Sequence, residues 1–469
     1  MNSFIRRFVG DKEFYKRVFA IVIPITIQSG ITNFVNLLDN LMVGQVGTVP
    51  MSGVAIINQL IFVFNLCIFG GLSGAGIFGS QYWGKRNHEG LRNVFRMKVL
   101  IALFVSLVGI LVFLIFDDNL IMWYLKGEGN SAEINALTLQ YAKEYLSVSI
   151  WGLLPFALIQ IYVSSLRETE ETVLPMKAGI AAVVVNLVFN YLLIFGNFGF
   201  PELGVKGAAI ATVLSRFVEL AIVLIWTYMH TSKFPYFIGA FRHFRIPTEL
   251  FTGILKKGTP LLANEALWSM GIAAQLQCYS LRGLEVVAAM NISNTINNLF
   301  NIAFISMGNA VAIIIGMRLG ANEIEEAKDE DRKLIALSIV LAASVAIIEI
   351  ALSSLFPLLY KTEPEVRAYA SQFIIISASF MPMAAFLHAS YFTIRSGGKT
   401  IVTFLFDSAF MWVVTIPLAK VLANYTSMPI QPLYICVLAA DVIKCIVGFV
   451  MLKKGVWIQN IVDKKEEVK

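Results

Sequence analysis

Three carboxylic acids stand inside long apolar stretches of this sequence, at Asp39, Glu265 and Asp407. A carboxylate at membrane depth costs about 2.5–3.5 kcal/mol on insertion scales, so it normally faces a water-filled cavity or a partner. Such an acid can exchange a proton or a sodium ion with the solution. All three are therefore candidates for ion coupling or cation binding. The structural alternatives are that Asp39 caps the outer end of its helix and that Glu265 makes a single hydrogen bond.

Neutral polar residues recur at helical spacing beside two of these acids. The first stripe steps by three or four residues and comprises Gln28, Thr32, Asn36 and then Asp39 or Asn40. The second group surrounds Glu265 and comprises Asn264, Trp268 and Ser269. Because polar side chains are unfavourable against lipid, we expect Gln28, Asn36, Asn264, Trp268 and Asp407 to line a substrate cavity.

Asparagines form two further groups within apolar segments. Asn186 and Asn190 are one helical turn apart, and a later segment carries Asn294, Asn297, Asn298 and Asn301. Asparagine oxygens can help to coordinate a hard cation, and asparagine side chains also join membrane helices through hydrogen bonds. For Asn186 and Asn190 both interpretations stay open. Asn294 and Asn298 are assigned to the predicted substrate cavity.

The elements that carry these residues must be membrane helices. The chain of 469 residues is 57% hydrophobic and 14% charged, with a mean hydropathy of +0.72, whereas a soluble domain has about 45–50% apolar and about 25% charged residues. Apolar runs that can cross about 30 Å of hydrocarbon predict twelve spans, at 17–44, 53–83, 97–116, 140–166, 176–195, 206–229, 255–280, 287–317, 334–360, 369–394, 400–424 and 432–452. No nucleophile, metal-ligand cluster or carboxylate pair indicates an enzyme.

The distribution of the 37 lysines and arginines predicts the orientation. With the N-terminus placed inside, alternate loops and both tails hold most of them. The opposite loops hold Lys126, Lys206, Arg282, Lys361, Arg367 and Lys420. Cytoplasmic loops carry an excess of Lys and Arg, so both termini are expected in the cytoplasm. The net charge of +6 is therefore a topology signal, and it does not indicate nucleic-acid binding.

The chain also carries an internal repeat. At one constant offset Pro24 falls on Pro260, and further matches recur between the second and eighth helices. Six helices per half is an even number, so the halves should be related by a pseudo-two-fold axis along the membrane normal. We predict an all-α integral membrane protein with an N-lobe at 1–229, a cytoplasmic connector at 230–256 and a C-lobe at 257–469. The connector is expected to lie partly along the membrane surface, with a solvated loop as the alternative.

Several short motifs give the chain a resemblance to the MATE (multidrug and toxic compound extrusion) family. The motifs are Leu38-Asp39-Asn40-Leu41-Met42-Val43-Gly44, Gly84-Lys85-Arg86, Ser165-Leu166-Arg167, Asn186-Leu187-Val188-Phe189-Asn190, Gly207-Ala208-Ala209-Ile210-Ala211-Thr212, and Pro260 with Glu265. The resemblance extends over essentially the whole length. It implies two six-helix lobes around a V-shaped cavity, and export of organic, often cationic, compounds in exchange for sodium ions or protons.

The same resemblance implies roles for individual residues. Asp39 matches the first-helix acid that couples ions. Asn186, Asn190 and Thr212 match an N-lobe cation site, although the family often has Asp at the second of these positions. Glu265 matches an acid of the seventh helix.

One branch of the family pairs the seventh-helix acid with an Asp in the tenth helix, which reads PMAAFLHASYFTIRSGG here and holds no acid. A C-lobe sodium site of that type is therefore not expected, and Asp407 is the candidate substitute.

The sequence thus predicts a secondary active multidrug efflux antiporter in a bacterial-type cytoplasmic (inner) membrane. It should need no cofactor beyond its coupling ion, Na⁺ or H⁺, and no metal beyond a sodium ion at the ion-coupling residues. Its expected partners are a small organic substrate and the lipid bilayer, and a monomer suffices. The alternative is a flippase for lipid-linked saccharides of the same two-lobe superfamily, which should need a larger and more cationic cavity for phosphates.

Overall fold

The computed structural model describes residues 7–125, 132–360 and 362–463, apart from the side chains of Asn36, Leu37 and Leu284. Within these ranges the chain forms twelve long helices and no strand, which confirms the predicted all-α fold. The first six are α1 Lys12–Gly44, α2 Thr48–Gly84, α3 His88–Leu125, α4 Ala132–Glu168, α5 Val173–Phe195 and α6 Gly204–Met229. The others are α7 Thr248–Ser280, α8 Leu284–Gly320, α9 Ile324–Leu352, α10 Pro364–Ser396, α11 Thr400–Tyr425 and α12 Ile430–Lys453.

Eleven of these helices are long and apolar enough, over the described ranges, to cross a membrane. The remaining helix is α7, which carries many polar residues: Lys256, Lys257, Asn264, Glu265, Gln275 and Gln277. With one exception, each helix contains the whole of a predicted span. The multi-pass membrane architecture therefore follows from the apolar runs themselves.

The exception is the span predicted at 334–360, which is wrong at its C-terminal end. α9 ends at Leu352, and Phe356–Leu359 forms a separate 3₁₀ turn with Pro357 at its start. Proline lacks a backbone N–H and its ring clashes with the preceding helical turn, so an ordinary helix does not continue through it.

Two π-helical turns interrupt α11, at Leu405–Ala409 and Met411–Thr415. The predicted span at 400–424 did not anticipate them, because the apolar content of a segment carries no information on the backbone hydrogen-bond register. π-helical turns are rare and occur frequently at functional sites. The first of them contains Asp407.

The helices group into two compact units. The N-terminal unit comprises Ile27–Gly79 and His88–Gly253. The C-terminal unit comprises the described part of Met1–Thr26, with Ser80–Asn87 and the described part of Ile254–Lys469. Both the start of α1 and the end of α2 are thus counted with the C-terminal unit, whereas the lobe boundaries predicted from the sequence assign them to the N-lobe. Those predicted boundaries, at 229 and 257, stay a prediction.

In the N-terminal unit, a buried ion pair joins α3 to α4, and α2 packs against it. Lys98 of α3 is fully buried, and its Nζ lies 2.7 Å from both carboxylate oxygens of Glu168, at the end of α4. The same ammonium group donates to the hydroxyls of Ser164 and Ser165 at 3.1 Å. Gly79 of α2 lies directly over the carboxylate, since a Cβ there would be 2.1 Å from Glu168 Oε2. α2 can therefore approach the pair only because it has glycine at this position.

The first half of the connector packs into the N-terminal unit. Phe234, Tyr236 and Phe237 are at most 1% exposed. Arg96 of α3 donates to the carbonyl oxygens of Ala240 and Gly239 at 2.7 and 3.1 Å. Burial raises the pKa of the Tyr236 phenol, so its hydroxyl stays protonated. This half of the connector is therefore packed against the N-terminal unit rather than forming a solvated loop, and its predicted position along the membrane surface stays a prediction.

The described residues after α12, 454–463, form a tail that packs within the C-terminal unit. The amide of Gln81, fully buried at the end of α2, donates to the carbonyl oxygens of Ser396 and Gln459 at 2.9 and 3.2 Å and accepts from the Ile461 backbone N–H at 2.8 Å. Gly320 of α8 touches the Gln81 backbone so closely that a Cβ would lie 1.9 Å from its carbonyl oxygen. One glutamine side chain thus holds residues 459–461 against two helix ends.

Candidate functional site

A cavity of about 570 Å³ lies inside the N-terminal unit. Its wall is formed by α1, α2, α4, α5 and α6. Polar side chains in this wall are Thr32, Asp39, Asn40, Asn58, Gln59, Asn65, Tyr145, Ser149, Asn190, Thr212 and Arg216. Aromatic rings of Phe62 and Phe156 are also part of it. The volume is within the range of about 300–1,000 Å³ that small-molecule sites occupy.

Asp39 lies in this wall with neutral hydrogen-bond donors beside its carboxylate. Asn190 Nδ2 donates to Asp39 Oδ1 at 2.6 Å and to Asn186 Oδ1 at 3.2 Å. Asn186 and Asn190 are 5% and 1% exposed, and their spacing on α5 places both amides on one face. Among the described residues Asp39 forms no ion pair, and Arg216 acts on it only from a longer distance.

The hydrogen bonds around Asp39 are best satisfied when Asn186 turns its amide nitrogen towards the carboxylate. The nitrogen then donates to Asp39 Oδ1 and Oδ2 at 2.9 and 3.1 Å, and the oxygen accepts from Thr212 Oγ1 at 3.2 Å. With the amide reversed, Asn186 Nδ2 would donate to Thr212 Oγ1 and its oxygen would accept from Asn190. That oxygen would also be directed at the carboxylate, which is favourable only with a proton or a cation between the two groups.

Two other residues of the cavity wall were not predicted as site residues. Arg216 of α6 pairs with Glu219 at 3.0 Å, and its guanidinium lies 5.3 Å from the centre of the Phe156 ring. Tyr145 of α4 donates to Asn58 Oδ1 at 3.2 Å. An arginine inside an apolar segment was a usable signal for Arg216, whereas nothing in the sequence distinguishes Tyr145 from a packing residue.

Gln28 of α1, predicted in the substrate cavity, is engaged elsewhere in the N-terminal unit. Its Oε1 accepts a hydrogen bond from Arg167 Nη2 at 2.6 Å, and the amide packs against Gly179 of α5. The side chain of Asn36, also predicted in the cavity, lies outside the described residues.

The C-terminal unit has a polar cluster of its own, centred on Asn264 and Asp407. Asn264 Nδ2 donates to Asp407 Oδ2 at 3.1 Å. Ser408 Oγ donates to Asn264 Oδ1 at 2.7 Å, which ties α7 to the first π-helical turn of α11. Lys444 of α12 places its Nζ 3.7 Å from Asp407 Oδ1. Asp407 is thus held by an amide on one side and an ammonium group on the other.

The other predicted residues of this unit stand apart from that cluster. Glu265 is partly buried beside Asn264, and the Trp268 side chain is 40% exposed. Asn294 and Asn298 are exposed on α8. Within the described part of the chain, no hydrogen bond joins any of these four residues to Asp407.

The family model MatE matches residues 24–192 and 260–421, which is more than half of the chain. The chain belongs to the MatE family. Among curated proteins similar to it are the probable multidrug resistance protein NorM of Thermotoga maritima, 25% identical over 97% of this chain and 96% of that protein, and the probable multidrug resistance protein YoeA of Bacillus subtilis, 24% identical over 88% of each chain.

Solved MATE structures have the same fold as this chain. A multidrug resistance MATE family transporter of the MOP superfamily, in an outward-facing conformation, superposes with a TM-score of 0.83 over 97% of this chain and 98% of that one, at 17% identity. The two-lobe, twelve-helix architecture predicted from the sequence is therefore the fold of this MATE-family chain.

Within this MATE-family fold, four of the five predicted ion-coupling residues come together: Asp39, Asn186, Asn190 and Thr212. The fifth, Glu265, belongs to the C-terminal unit. Over the described ranges, no group of three or more His, Cys, Asp or Glu residues is arranged to hold a metal ion. Residues with chemistry that the sequence prediction did not assign are Tyr145, Arg216, Asp441 and Lys444.

Proposed function

We propose that this MATE-family chain is a secondary active multidrug efflux antiporter that exports small organic cations in exchange for Na⁺ or H⁺. The observation that carries the proposal is the Asp39 carboxylate in a cavity wall, held by an uncharged donor at 2.6 Å and free of an ion pair among the described residues. A carboxylate at membrane depth normally faces a partner or a cavity. Arg216, which acts on Asp39 from a longer distance, is itself paired with Glu219, and this leaves Asp39 to take up a proton or a cation.

The hydrogen-bond arrangement supports exchange at Asp39. When the site holds no ion, Asn186 and Asn190 both donate to the ionised carboxylate. When a proton or a sodium ion arrives, Asn186 can turn its oxygen towards it, and Asn190 Oδ1, which has no partner in the described structure, supplies another oxygen. Sodium, like other hard cations, is bound by such oxygens. Occupation of the site thus removes the Asn186 donor from Asp39 and rearranges contacts between α1 and α5.

The same cavity suits an organic cation. The Asp39 carboxylate supplies negative charge, and the rings of Phe62 and Tyr145 supply π faces that attract cations. An ion bound at Asp39 neutralises that charge and so weakens the attraction for the substrate. Competition for one carboxylate couples the two fluxes in opposite directions.

The relatives named as multidrug resistance proteins support the transported class. We place the chain in a bacterial-type cytoplasmic membrane as a monomer, with both termini in the cytoplasm. It acts as a transporter rather than an enzyme and uses no cofactor beyond the coupling ion. A lipid-linked saccharide would need cationic groups for its phosphates, and Arg216, the one basic residue in the cavity wall described here, is already paired with Glu219.

Efflux of a fluorescent organic cation from proteoliposomes tests the proposal. A sodium gradient and a pH gradient are imposed separately, and wild type is compared with Asp39→Asn. Glu202→Gln, an exposed acid between α5 and α6, is the matched control. We expect one of the two gradients to drive efflux in wild type and control but not in Asp39→Asn, and the effective gradient identifies the ion. Folded wild-type protein that moves no dye under either gradient would contradict the proposal and favour the flippase.

A further inference from the structure

Lys444 is an ammonium group enclosed in a membrane-spanning helix. The residue is 9% exposed and lies on α12, one turn after Asp441. Its Nζ is 3.7 Å from Asp407 Oδ1 and 3.5 Å from Asp441 Oδ1. The rings of Phe410 and Phe406 also lie near it, with centres at 5.6 and 6.0 Å. One lysine is therefore shared between two carboxylates from different helices.

These distances indicate a charge interaction rather than directional hydrogen bonding. N–H···O bonds measure 2.7–3.2 Å between heavy atoms, and both separations are longer. A lysine ammonium is a compact charge on a flexible stem, so it can remain between Asp407 and Asp441 and neutralise either one. The geometry resembles that of a cation between two acids, except that the cation is attached to the chain.

Asp407 itself is held firmly in place. Asn264 donates to its other oxygen at 3.1 Å, and Ser408 fixes Asn264 through a bond of 2.7 Å. Asp407 and Ser408, which are consecutive residues of the π-helical turn, both contact Asn264 of α7, and Asp407 also faces Lys444 of α12. The acid therefore keeps its position while the flexible lysine supplies the compensating charge.

The remaining ionisable groups nearby do not take over that task. Glu265 and Arg395 act on each other electrostatically, and Arg395 also stacks on Phe392 at 5.1 Å. His388 of α10 is within electrostatic reach of Asp407 but forms no ion pair with it in the described structure. Over the described ranges, the ion pair of Asp407 is thus with Lys444.

In the N-terminal unit, the hydrogen-bond partners of the embedded acid are uncharged. Asp39 has asparagine amides beside it where Asp407 has an ammonium group. Resting on the proposed antiport, we propose that Lys444 is a tethered counter-ion that takes the place of a coupling ion in the C-terminal unit. The single charge of Lys444 compensates Asp407, which then needs neither sodium nor an added proton, and coupling is left to Asp39. Removing one partner of a buried ion pair leaves an uncompensated charge, so loss of the lysine should recruit a free cation.

Cation binding to the purified full-length protein tests this assignment. Radioactive sodium bound per chain is measured at alkaline pH, and the carbonyl stretch of protonated carboxylic acids is recorded by infrared spectroscopy. We expect Lys444→Gln to hold one more cation per chain than wild type, as sodium or as a protonated acid. Lys444→Arg should show no gain, and adding Asp407→Asn with Asp441→Asn to Lys444→Gln should abolish the gain. Lys453→Gln, exposed at the end of the same helix, is the matched control.

The single variant Asp407→Asn keeps the test decisive if Lys444→Gln fails to fold. Because Lys444 can still pair with Asp441, this variant should bind as much sodium as wild type. A loss of sodium from Asp407→Asn, or folded Lys444→Gln without any gained cation, would overturn the assignment. Neither measurement needs a transported substrate, so the proposed antiport can fail in proteoliposomes while the role of Lys444 is still decided.

Discussion

At the scale of single residues, the two units treat a membrane-embedded acid differently. Asp39 is surrounded by amides that can turn either a donor or an acceptor towards it, whereas Asp407 faces an ammonium group. An amide can serve the ionised and the occupied state alike, but a lysine serves only the ionised one. The chemistry of the neighbour, rather than the presence of the acid, thus decides whether an ion can be exchanged.

A second carboxylate at position 190 should turn the Asp39 cluster into a stronger cation site. In Asn190→Asp, two carboxylates would stand in contact, and like charges this close require a cation or a proton between them. We expect apparent sodium affinity, read from the sodium-dependent rise in Tm of purified protein, to increase roughly tenfold. Asn58→Asp, in the same cavity wall but bonded to Tyr145, should show a clearly smaller rise. Equal rises in both variants would show that general cavity charge, and not contact with Asp39, controls binding.

At the scale of elements, helix contacts depend on a few polar anchors set among glycines. Lys98 and Glu168 join α3 to α4 beneath Gly79 of α2, and Gln81 joins the end of α2 to the tail. The twelve helices could be predicted because each needs only an apolar run of sufficient length. The polar contacts between helices could not be predicted in this way. The side chains that meet depend on the rotation of each helix about its axis, and the sequence does not give that rotation. The π-helical turns of α11 and the C-terminal end of α9 could not be predicted either. Hydropathy measures how apolar a segment is, and it gives neither the backbone hydrogen-bond register nor the residue at which a helix ends.

Removing Lys98 should weaken the N-terminal unit strongly. Lys98→Met leaves the Glu168 carboxylate buried without its ammonium partner, and breaking a buried pair in this way costs about 3–5 kcal/mol. We expect a clear fall in the free energy of unfolding in detergent. Lys98→Met combined with Glu168→Gln should recover part of it, because no unpaired charge remains. Lys177→Met, an exposed lysine on α5, is the control. Wild-type stability in the single variant would show that the pair contributes nothing.

Hydrogen exchange tests whether the Gln81 side chain fixes the position of the tail after α12. Gln81→Ala removes three hydrogen bonds to backbone groups of Ser396, Gln459 and Ile461. Amides of residues 456–463 should then exchange faster, while those of α8 and α10 stay protected. Gln459→Ala should leave exchange unchanged, because only the backbone of that residue takes part. Unaltered exchange in Gln81→Ala would mean that the packing of Trp457 and the contacts of Lys85 and Gly320 with residues 460–463 hold the tail without Gln81.

At the scale of the whole molecule, the sequence was enough for the fold class and the family, but only for part of the site. Asp39, Asn186 and Asn190 could be named in advance, because an acid and paired asparagines are conspicuous in apolar helices. Thr212 could be named only because it matches a position of the N-lobe cation site in the MATE family. The partners of Asp407 could not be named in advance, because Lys444 lies on another helix and far along the chain from Asp407. Arg216 was visible as a charge in an apolar segment, yet its pairing with Glu219 follows only from the structure.

In the proposed antiport, an ion at Asp39 and the organic cation compete for the same carboxylate. Equilibrium binding of a fluorescent organic cation to purified protein, measured at increasing sodium concentration and separately at decreasing pH, tests it most directly. In wild type and Glu202→Gln we expect substrate affinity to fall roughly tenfold, which corresponds to about 1.4 kcal/mol, as the coupling ion saturates. In Asp39→Asn the affinity should be lower from the start and independent of both ions. An Asp39→Asn variant that still loses substrate on addition of the ion would contradict competition at Asp39.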